Sequence, residues 1–243
     1  MSHINPREAI LDQSPLASAT VAWPSLRYRT PPFRYAGTWP SARSGWPEAA
    51  KRCFDIAFAA LVLIIHLPLF LAAAIAIKLD SPGPVLFRQR RIGLHGRSFE
   101  LLKFRTMQHR PIAHGLLCQT CPRDPRVTRI GALLRRTSFD ELPQLWNVLR
   151  GDMSLVGPRP HAPGTCAGDT PFEHVTARYP LRHRVRPGMT GLAQVRGWRG
   201  QTDTKEKLLR RLDCDLEYIA TWSLGTDFLI LLRTVAALWR NAY

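Results

Sequence analysis

The stretch Arg135-Arg-Thr-Ser-Phe-Asp-Glu-Leu-Pro-Gln-Leu-Trp-Asn-Val-Leu-Arg-Gly-Asp-Met-Ser-Leu-Val-Gly-Pro-Arg-Pro160 decides how this chain folds. At its centre, Asp140 and Glu141 are adjacent carboxylates. Ser138, three residues before Glu141, predicts a capping box that opens a helix. Leucines follow at helical spacing, and Gly151 predicts where the helix ends. We therefore expect both acids in the first helical turn, where the helix macrodipole favours ionised carboxylates.

Positive charge surrounds these two acids. An isolated acid at a helix N-terminus is most often a cap that serves stability alone. Here Arg135, Arg136, Arg150 and Arg159 lie in the same short segment, which closes with the turn Gly157-Pro-Arg-Pro160. Because cationic groups stabilise charge on phosphoryl groups, this pattern predicts a site that binds phosphates and in which a carboxylate attacks one of them.

The length and composition of the chain limit its class without choosing a function. Its 243 residues are enough for one domain with a real core. A net charge of +16 points to nucleic acid, anionic lipid or phosphorylated substrates, and does not separate them. The five cysteines include the single C-x-x-C pair Cys118 and Cys121. That pair lacks the second pair or histidine cluster of a zinc site, so reduced thiols are expected.

The N-terminal third divides into a polar tail and an apolar segment. Residues 1–50 are rich in Pro, Ser, Ala and Arg, which predicts a poorly ordered tail. From Ile56 to Ile77 the chain carries no formal charge, and as one helix this run would measure about 33 Å, enough to span a bilayer. Pro68 near its middle predicts a kink, and basic residues flank both ends. Residues 51–79 are therefore expected to enter the membrane, break and return, although periodicity does not exclude a simple transmembrane anchor.

A compact cytosolic domain is expected over residues 80–243. Residues 85–92 and 98–107 predict a β-hairpin whose second strand carries Lys103 and Arg105 near its end. The overall expectation is an α/β fold rich in α-helix and associated with the membrane.

Two further helices are expected near the C-terminus. Residues 204–220 predict an amphipathic helix, with Asp215 at the edge of its apolar stripe. A last helix, with Thr226 and Asp227 as its predicted cap, would run to Trp239, either as a core helix or at a membrane interface.

Several motifs then occur in one order along the chain. They are Lys51-Arg-Cys-Phe-Asp55, Lys103-Phe-Arg-Thr-Met107, Asp124-Pro-Arg126, Ser138-Phe-Asp-Glu-Leu142, Asn147-Val-Leu-Arg-Gly-Asp-Met-Ser154, Val156-Gly-Pro-Arg-Pro160 and Val185-Arg-Pro-Gly-Met-Thr-Gly-Leu-Ala-Gln-Val195. Together they resemble the bacterial sugar transferases, the monotopic phosphoglycosyl transferases that begin glycan assembly on a polyprenyl phosphate. The resemblance covers residues 50–240 and corresponds to the catalytic-core form of the family.

The resemblance implies a reaction and a set of roles. Such an enzyme would transfer a sugar-1-phosphate from a nucleotide-diphosphate sugar to undecaprenyl phosphate, at the cytoplasmic face of the bacterial inner membrane, to initiate exopolysaccharide or a related glycan. By its position in the motif, Asp140 would attack the sugar-linked phosphate and form a phosphosugar–aspartyl intermediate. Glu141 would hold Mg²⁺, and Arg186 would contact phosphate. With the other cations near these motifs, the expected phosphate-binding residues are Lys103, Arg105, Arg136, Arg159 and Arg186.

One departure and two alternatives stay open. Members of the family commonly place Ser before the helix-breaking Pro, whereas this chain has Leu67, which cannot bond the carbonyls freed at Pro68. The charge alone also fits a membrane-tethered protein without catalysis that binds nucleic acid or lipid. No zinc-finger or RNA-binding pattern supports nucleic acid as a partner. The sequence names neither the sugar, the nucleotide nor the oligomeric state.

Overall fold

The computed structural model describes residues 46–108 and 124–240, with side chains up to residue 237. Most of the predicted N-terminal tail and both Cys118 and Cys121 lie outside the described residues. Residues 46–50, which the sequence analysis assigned to the tail, form the start of the first helix.

The described residues form a mixed α and β structure that is rich in helix, as the sequence predicted. The helices are α1 (Trp46–Ile65), α2 (Leu67–Asp80), α3 (Arg129–Arg136), α4 (Gln144–Arg150), α5 (Phe172–Val175), α6 (Leu192–Val195), α7 (Lys205–Thr221) and α8 (Leu224–Arg240). The strands are β1 (Leu86–Ile92), β2 (Ser98–Phe104), β3 (Ser154–Val156), β4 (Cys166–Ala167), β5 (Thr170–Pro171) and β6 (Gly188–Thr190). Short 3₁₀ turns occupy Leu94–Gly96, Phe139–Glu141 and Tyr179–Arg184.

A sharp bend separates α1 from α2. The two axes differ by 62°, and the break lies at His66, two residues before Pro68. The predicted kink is therefore confirmed, with Pro68 in the first turn of the second helix, where its missing N–H is tolerated. His66 Nδ1 donates a hydrogen bond of 2.9 Å to the Val62 carbonyl. The side chain of His66, one residue before Leu67, thus satisfies a backbone carbonyl at the break between the two helices.

The bend also bears on whether the apolar segment could cross a membrane. In residues 46–108 and 124–240, no single helix is both long and apolar enough to cross a membrane, whereas the bent pair α1 and α2 meets the criteria together.

Both ends of this helix pair are tied to the same domain. At the start of α1, Arg52 donates to the carbonyls of Val148 (2.7 Å) and Leu149 (2.9 Å), at the end of α4. A cation is favourable there because the last helix carbonyls lack intrahelical partners. At the end of α2, Arg105 donates to the Ser81 carbonyl at 2.6 Å. The helix pair therefore leaves the domain and returns to it.

The predicted hairpin is confirmed and is joined to α4 by one buried amide. Strands β1 and β2 pair antiparallel. The Leu102 N–H donates to Asn147 Oδ1 at 3.0 Å, and Asn147 Nδ2 donates to the Glu100 carbonyl at 2.7 Å. Asn147 is fully buried, so its side chain takes the place of a neighbouring strand. This contact fixes α4 beside the hairpin.

Two glycines allow the close approach of β3 and β6, which pair in parallel. A Cβ added to Gly157 would lie 2.5 Å from the Arg186 carbonyl oxygen, and one added to Gly188 would lie 2.1 Å from the Gly157 nitrogen. Any side chain at either position would separate the two segments. The two glycines therefore allow the close backbone approach that positions Arg159, two residues after Gly157.

Asp227 has a different role from the predicted helix cap. Helix α8 begins at Leu224, and the Asp227 side chain is buried inside the domain. It accepts hydrogen bonds from Lys51 Nζ (2.6 Å), Tyr218 Oη (2.8 Å) and Trp222 Nε1 (3.1 Å). The carboxylate points inward because these three donors surround it. It thereby joins the start of α1 to α7 and α8.

We expect Asp227→Asn to lower the free energy of unfolding by about 3–5 kcal/mol, the usual cost of breaking a buried ion pair. The amide leaves the Lys51 ammonium without its nearest counter-charge. Thermal unfolding of detergent-purified protein measures the effect. Asp213→Asn is the matched control, because its exposed carboxylate pairs loosely with Arg178 at 3.5 Å and should contribute only about 0–1 kcal/mol. Equal losses in the two variants would contradict the buried-pair assignment.

Candidate active site around Asp140 and Glu141

The segment that carries the two acids is not the predicted capping box. Ser138 has φ 57° and makes no side-chain cap, and a 3₁₀ turn follows at Phe139–Glu141. Helix α4 begins only after Pro143, so Pro143 is not inside the helix. The box fails because the Glu141 carboxylate is paired with distant cations instead of reaching back to Ser138. Gly151, with φ 89°, ends α4 as predicted.

The backbone at Ser138 is strained. A residue with a Cβ rarely adopts positive φ, and holding it there costs about 1–3 kcal/mol. Such strain persists only where the surrounding structure enforces it, and it occurs often at functional sites. Here it lies directly before the two acids.

Glu141 is held between two cations. Lys103 Nζ lies 2.7 Å from its Oε1. Arg159 donates from both terminal nitrogens, one to Oε2 at 3.1 Å and the other to Oε1. Burial disfavours ionisation of Glu141, but Arg159 and Lys103 outweigh it and hold the pKa of this carboxyl well below its usual range. Glu141 is therefore a fixed negative charge at any working pH.

Asp140 is in the opposite situation. Its side chain is buried, yet within residues 46–108 and 124–240 no group donates a hydrogen bond to its carboxylate. Burial raises the pKa of Asp140, Lys103 lowers it in part, and the charge of Glu141 raises it again. The carboxylate oxygens of Asp140 accept no hydrogen bond from the described residues, whereas both oxygens of Glu141 accept hydrogen bonds from cations.

The structure brings together only some of the predicted phosphate-binding residues. Lys103 and Arg159 contact Glu141 directly. Arg105 is buried and donates to carbonyls at the end of α2, and Arg186 Nε donates to the Gly151 carbonyl at 3.1 Å. Their described contacts do not include either acid, and the phosphate role expected of these two arginines stays a prediction. A sequence motif could not reveal these backbone contacts, which Arg105 makes from both terminal nitrogens and Arg186 makes from Nε.

Arg135 is a further arginine whose charge acts on Asp140. Arg136 is exposed, whereas Arg135 contributes to the field at Asp140 and donates from Nε to Thr106 Oγ1 at 2.8 Å. Successive residues on a helix point about 100° apart, so the two arginines leave the helix in different directions. The phosphate role expected of Arg136 stays a prediction.

Arg91 is a site residue that no sequence pattern indicated. It donates to the Pro160 carbonyl at 3.2 Å, and its charge interacts with both Arg159 and Glu141. Burial, followed by repulsion from Arg159, lowers the pKa of Arg91 to about 10. Strand β1 contains two other arginines, and its sequence does not indicate which of the three lies near the site. Only the packing of the hairpin shows that Arg91 turns inward.

A buried ion pair supports the backbone of Arg159. Arg182 Nε donates to Asp215 Oδ2 at 2.9 Å, and its NH2 donates to the Arg159 carbonyl at 2.7 Å. Both side chains of the pair are almost fully buried. Asp215, which the sequence predicted at the edge of the apolar stripe of α7, therefore orients Arg182. Arg182 in turn fixes the backbone of the loop that carries Arg159.

The arrangement suits chemistry on phosphate. One carboxylate is free to act as a nucleophile, and cations beside it can hold a diphosphate and stabilise the charge on a transferring phosphoryl group. The second carboxylate orients those cations.

Comparison with known proteins agrees with this chemistry. The model of the family described as bacterial sugar transferase matches residues 46–241. A UDP-glucose:undecaprenyl-phosphate glucose-1-phosphate transferase of Caulobacter vibrioides is 53% identical over 198 residues, which cover 81% of this chain and 73% of that protein. The exopolysaccharide production protein PSS of Rhizobium leguminosarum bv. phaseoli is 49% identical, covering 77% of this chain and 94% of that protein.

Some relatives are much longer than this chain. An Escherichia coli UDP-glucose:undecaprenyl-phosphate glucose-1-phosphate transferase is 48% identical over 192 residues, which cover 79% of this chain but 40% of that protein. A relative from Komagataeibacter xylinus is also covered to 40% of its length.

Proposed function

This chain belongs to the bacterial sugar transferase family, and from that premise we propose that it transfers a sugar-1-phosphate from a nucleotide-diphosphate sugar to undecaprenyl phosphate. The observation that carries the proposal is the uncommitted, buried Asp140 carboxylate beside the cations that hold Glu141. Family membership favours this enzyme over a non-catalytic protein that binds nucleic acid or lipid. The product would initiate exopolysaccharide or a related glycan.

The first half-reaction forms a covalent intermediate. An Asp140 oxygen attacks the phosphorus that carries the sugar, and the bond from that phosphorus to the nucleoside monophosphate breaks. The departing monophosphate keeps the electron pair. Arg159 and Lys103 lie next to Asp140 and would hold the negative charge that spreads over the phosphoryl oxygens.

The second half-reaction returns the enzyme to its starting state. A phosphate oxygen of undecaprenyl phosphate attacks the same phosphorus, and the aspartyl–phosphorus bond breaks. This restores the Asp140 carboxylate and leaves the sugar attached to the lipid through a diphosphate. Dividing one transfer into two steps allows a weak nucleophile such as a carboxylate to serve.

The donor set around the dyad fits Mg²⁺ with help from the substrate. Glu141 supplies an ionised carboxylate, a ligand type that Mg²⁺ prefers. Among the described residues, no group of three or more His, Cys, Asp and Glu side chains could hold a metal ion alone. Mg²⁺ commonly takes one or two carboxylates plus substrate phosphates, so Glu141 would hold it together with the diphosphate. When bound, the ion supplies positive charge against the diphosphate.

A donor panel tests the proposed reaction. Purified full-length protein is incubated with undecaprenyl phosphate, Mg²⁺ and one nucleotide sugar at a time, and release of nucleoside monophosphate is measured. UDP-glucose is the first donor to try, because the Caulobacter and E. coli relatives carry it in their names. We expect monophosphate release that depends on the lipid acceptor. Absence of release with every donor in the panel would contradict the proposal.

The same proposal places the chain on the cytoplasmic face of the bacterial inner membrane, with α1 and α2 as a re-entrant pair. Large apolar side chains are exposed around the bend, with Ile64, Leu67 and Leu71 each more than 60% exposed. An exposed apolar tip of this kind favours insertion into a membrane. Because both ends of the pair attach to one domain, a hairpin that enters and returns fits better than a crossing.

We expect Pro68→Leu to convert part of the population to a spanning form, because Pro in a helix interior costs about 3 kcal/mol and its removal permits one straight helix. The test uses variants with the five native cysteines replaced by serine and one cysteine introduced at Trp46 or Arg97. An impermeant maleimide applied to intact cells should label neither position in the parent. Partial labelling of one end is expected in Pro68→Leu.

Leu69→Ile is the control for the topology test, since it preserves apolar length and Pro68. Unchanged labelling in Pro68→Leu would show that another feature, such as the tethering of both helix ends, enforces the return. Labelling of one end in the parent protein would contradict the re-entrant arrangement itself.

A further inference from the structure

A cavity lies between α6 and α8, and neither Asp140 nor Glu141 lines it. Its volume is about 420 Å³, within the range of small-ligand sites. Small or apolar residues line much of it, among them Val195, Gly197 and Ala236. Two arginines, Arg199 and Arg233, also line it. The cavity thus combines an apolar wall with two cations.

No acid of the described residues pairs with either of these two cations. In the described part of the chain, neither Arg199 nor Arg233 has an ion-pair or hydrogen-bond partner. Arg196, which lies nearby in sequence, takes both carboxylate oxygens of Glu217, so that acid is already committed. Two uncompensated guanidinium groups on one cavity favour an anion, and guanidinium geometry suits phosphate in particular.

The surface beside the cavity is apolar. Leu224, Phe228, Leu232 and Val235 recur at helical spacing along α8, and each is 41–59% exposed. The opposite side of the helix buries Ile230. Leu229, 46% exposed, widens this apolar face, and Arg233 lies one turn after it, at the edge of the face. An exposed apolar face with a cation at its edge is the pattern of a helix that lies in a membrane interface.

We propose that Arg199 and Arg233 bind the phosphate of an anionic glycerophospholipid from the surrounding membrane, with its acyl chains against the exposed stripe of α8. The inference rests on the membrane attachment in the proposed function. It differs from acceptor binding, because the cavity lining includes neither Asp140 nor the cations that contact Glu141. An acceptor phosphate has to reach Asp140, whereas a docking lipid does not. The lipid would hold the C-terminal helix at the membrane surface.

Native mass spectrometry of the full-length protein in a neutral detergent tests this site, with phosphatidylglycerol as the probe and phosphatidylcholine as the zwitterionic comparison. The double variant Arg199→Gln/Arg233→Gln should bind phosphatidylglycerol about 30-fold more weakly, as expected for two lost contacts between arginine and an anionic lipid. Arg129→Gln/Arg210→Gln is the control, because it removes the same charge from two exposed positions elsewhere. This control should bind phosphatidylglycerol like the parent.

Each other outcome overturns the proposal. Equal losses in both double variants would mean diffuse attraction by net charge. Unchanged phosphatidylglycerol binding in Arg199→Gln/Arg233→Gln would mean that the cavity does not hold this lipid. Loss of undecaprenyl phosphate binding without loss of phosphatidylglycerol would make the cavity an acceptor site. No nucleotide sugar is present in the assay, so arginine-dependent lipid binding would still be measured if the proposed transfer reaction failed.

Discussion

Replacing Asp140 with Asn is expected to reduce sugar-phosphate transfer at least about 10³-fold, because an amide cannot serve as the nucleophile. The covalent sugar-phosphate adduct should disappear as well. Mass spectrometry of enzyme quenched after mixing with nucleotide sugar, without lipid acceptor, detects that adduct on the wild-type protein. Asp169→Asn, an isosteric change at an exposed position, should retain both adduct and turnover.

The stability of Asp140→Asn separates a nucleophile from a structural acid. Burial raises the folded-state pKa of Asp140, so its ionised form costs folding free energy at neutral pH. The protonated form of Asp140 does not carry this cost, so the contribution of Asp140 to the free energy of unfolding is most favourable at low pH. That contribution is lost as pH rises through the raised pKa. The uncharged amide should therefore unfold at the same temperature as wild type or higher at neutral pH. A clear loss of stability would indicate that Asp140 supports the fold.

The same raised pKa predicts the acid side of the pH profile. Only the ionised carboxylate can attack, so kcat/KM should fall as pH drops through the pKa of Asp140, above the value of 3.8 for an unperturbed Asp. Glu141 stays ionised in this range and should not contribute to the pH dependence.

The adduct experiment decides the mechanism itself. If wild type shows no adduct while Asp140→Asn remains active, the covalent mechanism is wrong for this protein.

Replacing Glu141 with Gln should lower turnover by about 10²–10³-fold, the usual effect of removing one electrostatic contributor to a transition state. The variant should keep a detectable adduct on Asp140, since the nucleophile is intact. Both half-reactions should slow and Mg²⁺ dependence should weaken, because the proposed metal ligand is lost. Measuring monophosphate release and lipid-linked sugar separately distinguishes the two half-reactions.

Unlike Asp140→Asn, the Glu141→Gln variant should also be less stable. The amide leaves Lys103 and Arg159 close together without the negative charge between them. Since the three side chains are partly exposed, the expected loss is about 1–3 kcal/mol, between the values for surface and buried pairs. Glu217→Gln is the control, because it breaks a pair with Arg196 at the exposed surface. Full turnover in Glu141→Gln would contradict any role for this acid in the reaction.

The two variants should thus fail in different ways, and this contrast corrects the sequence-based expectation of two acids in the first turn of a helix. In that arrangement each acid would contribute only about 0.3–1 kcal/mol through the helix dipole. The structure instead buries Asp140, to which no residue in the described ranges donates a hydrogen bond, and places Glu141 between two cations.

The sequence by itself determined the features that depend on near neighbours. Helical spacing predicted α7 within one residue at each end, and Gly151 ended α4 because glycine adopts positive φ without a Cβ clash. Alternation predicted the hairpin of β1 and β2, and Pro68 predicted the bend. The adjacent acids, read together with the ordered motifs, also identified the family. Each of these signals lies within a few residues of the structure that it specifies.

Only the tertiary structure decided which charges meet. Glu141 is paired with residues 38 and 18 positions away along the chain, and no local pattern records such distances. The partners of Arg105 and Asp227 are also distant in sequence. Arg105 donates to the Ser81 carbonyl, and the buried Asp227 carboxylate pairs with Lys51. A buried charge has to find a partner because desolvation is costly, and folding decides which partner lies within reach. Among the buried carboxylates of residues 46–108 and 124–240, Asp140 is the one to which no described group donates a hydrogen bond.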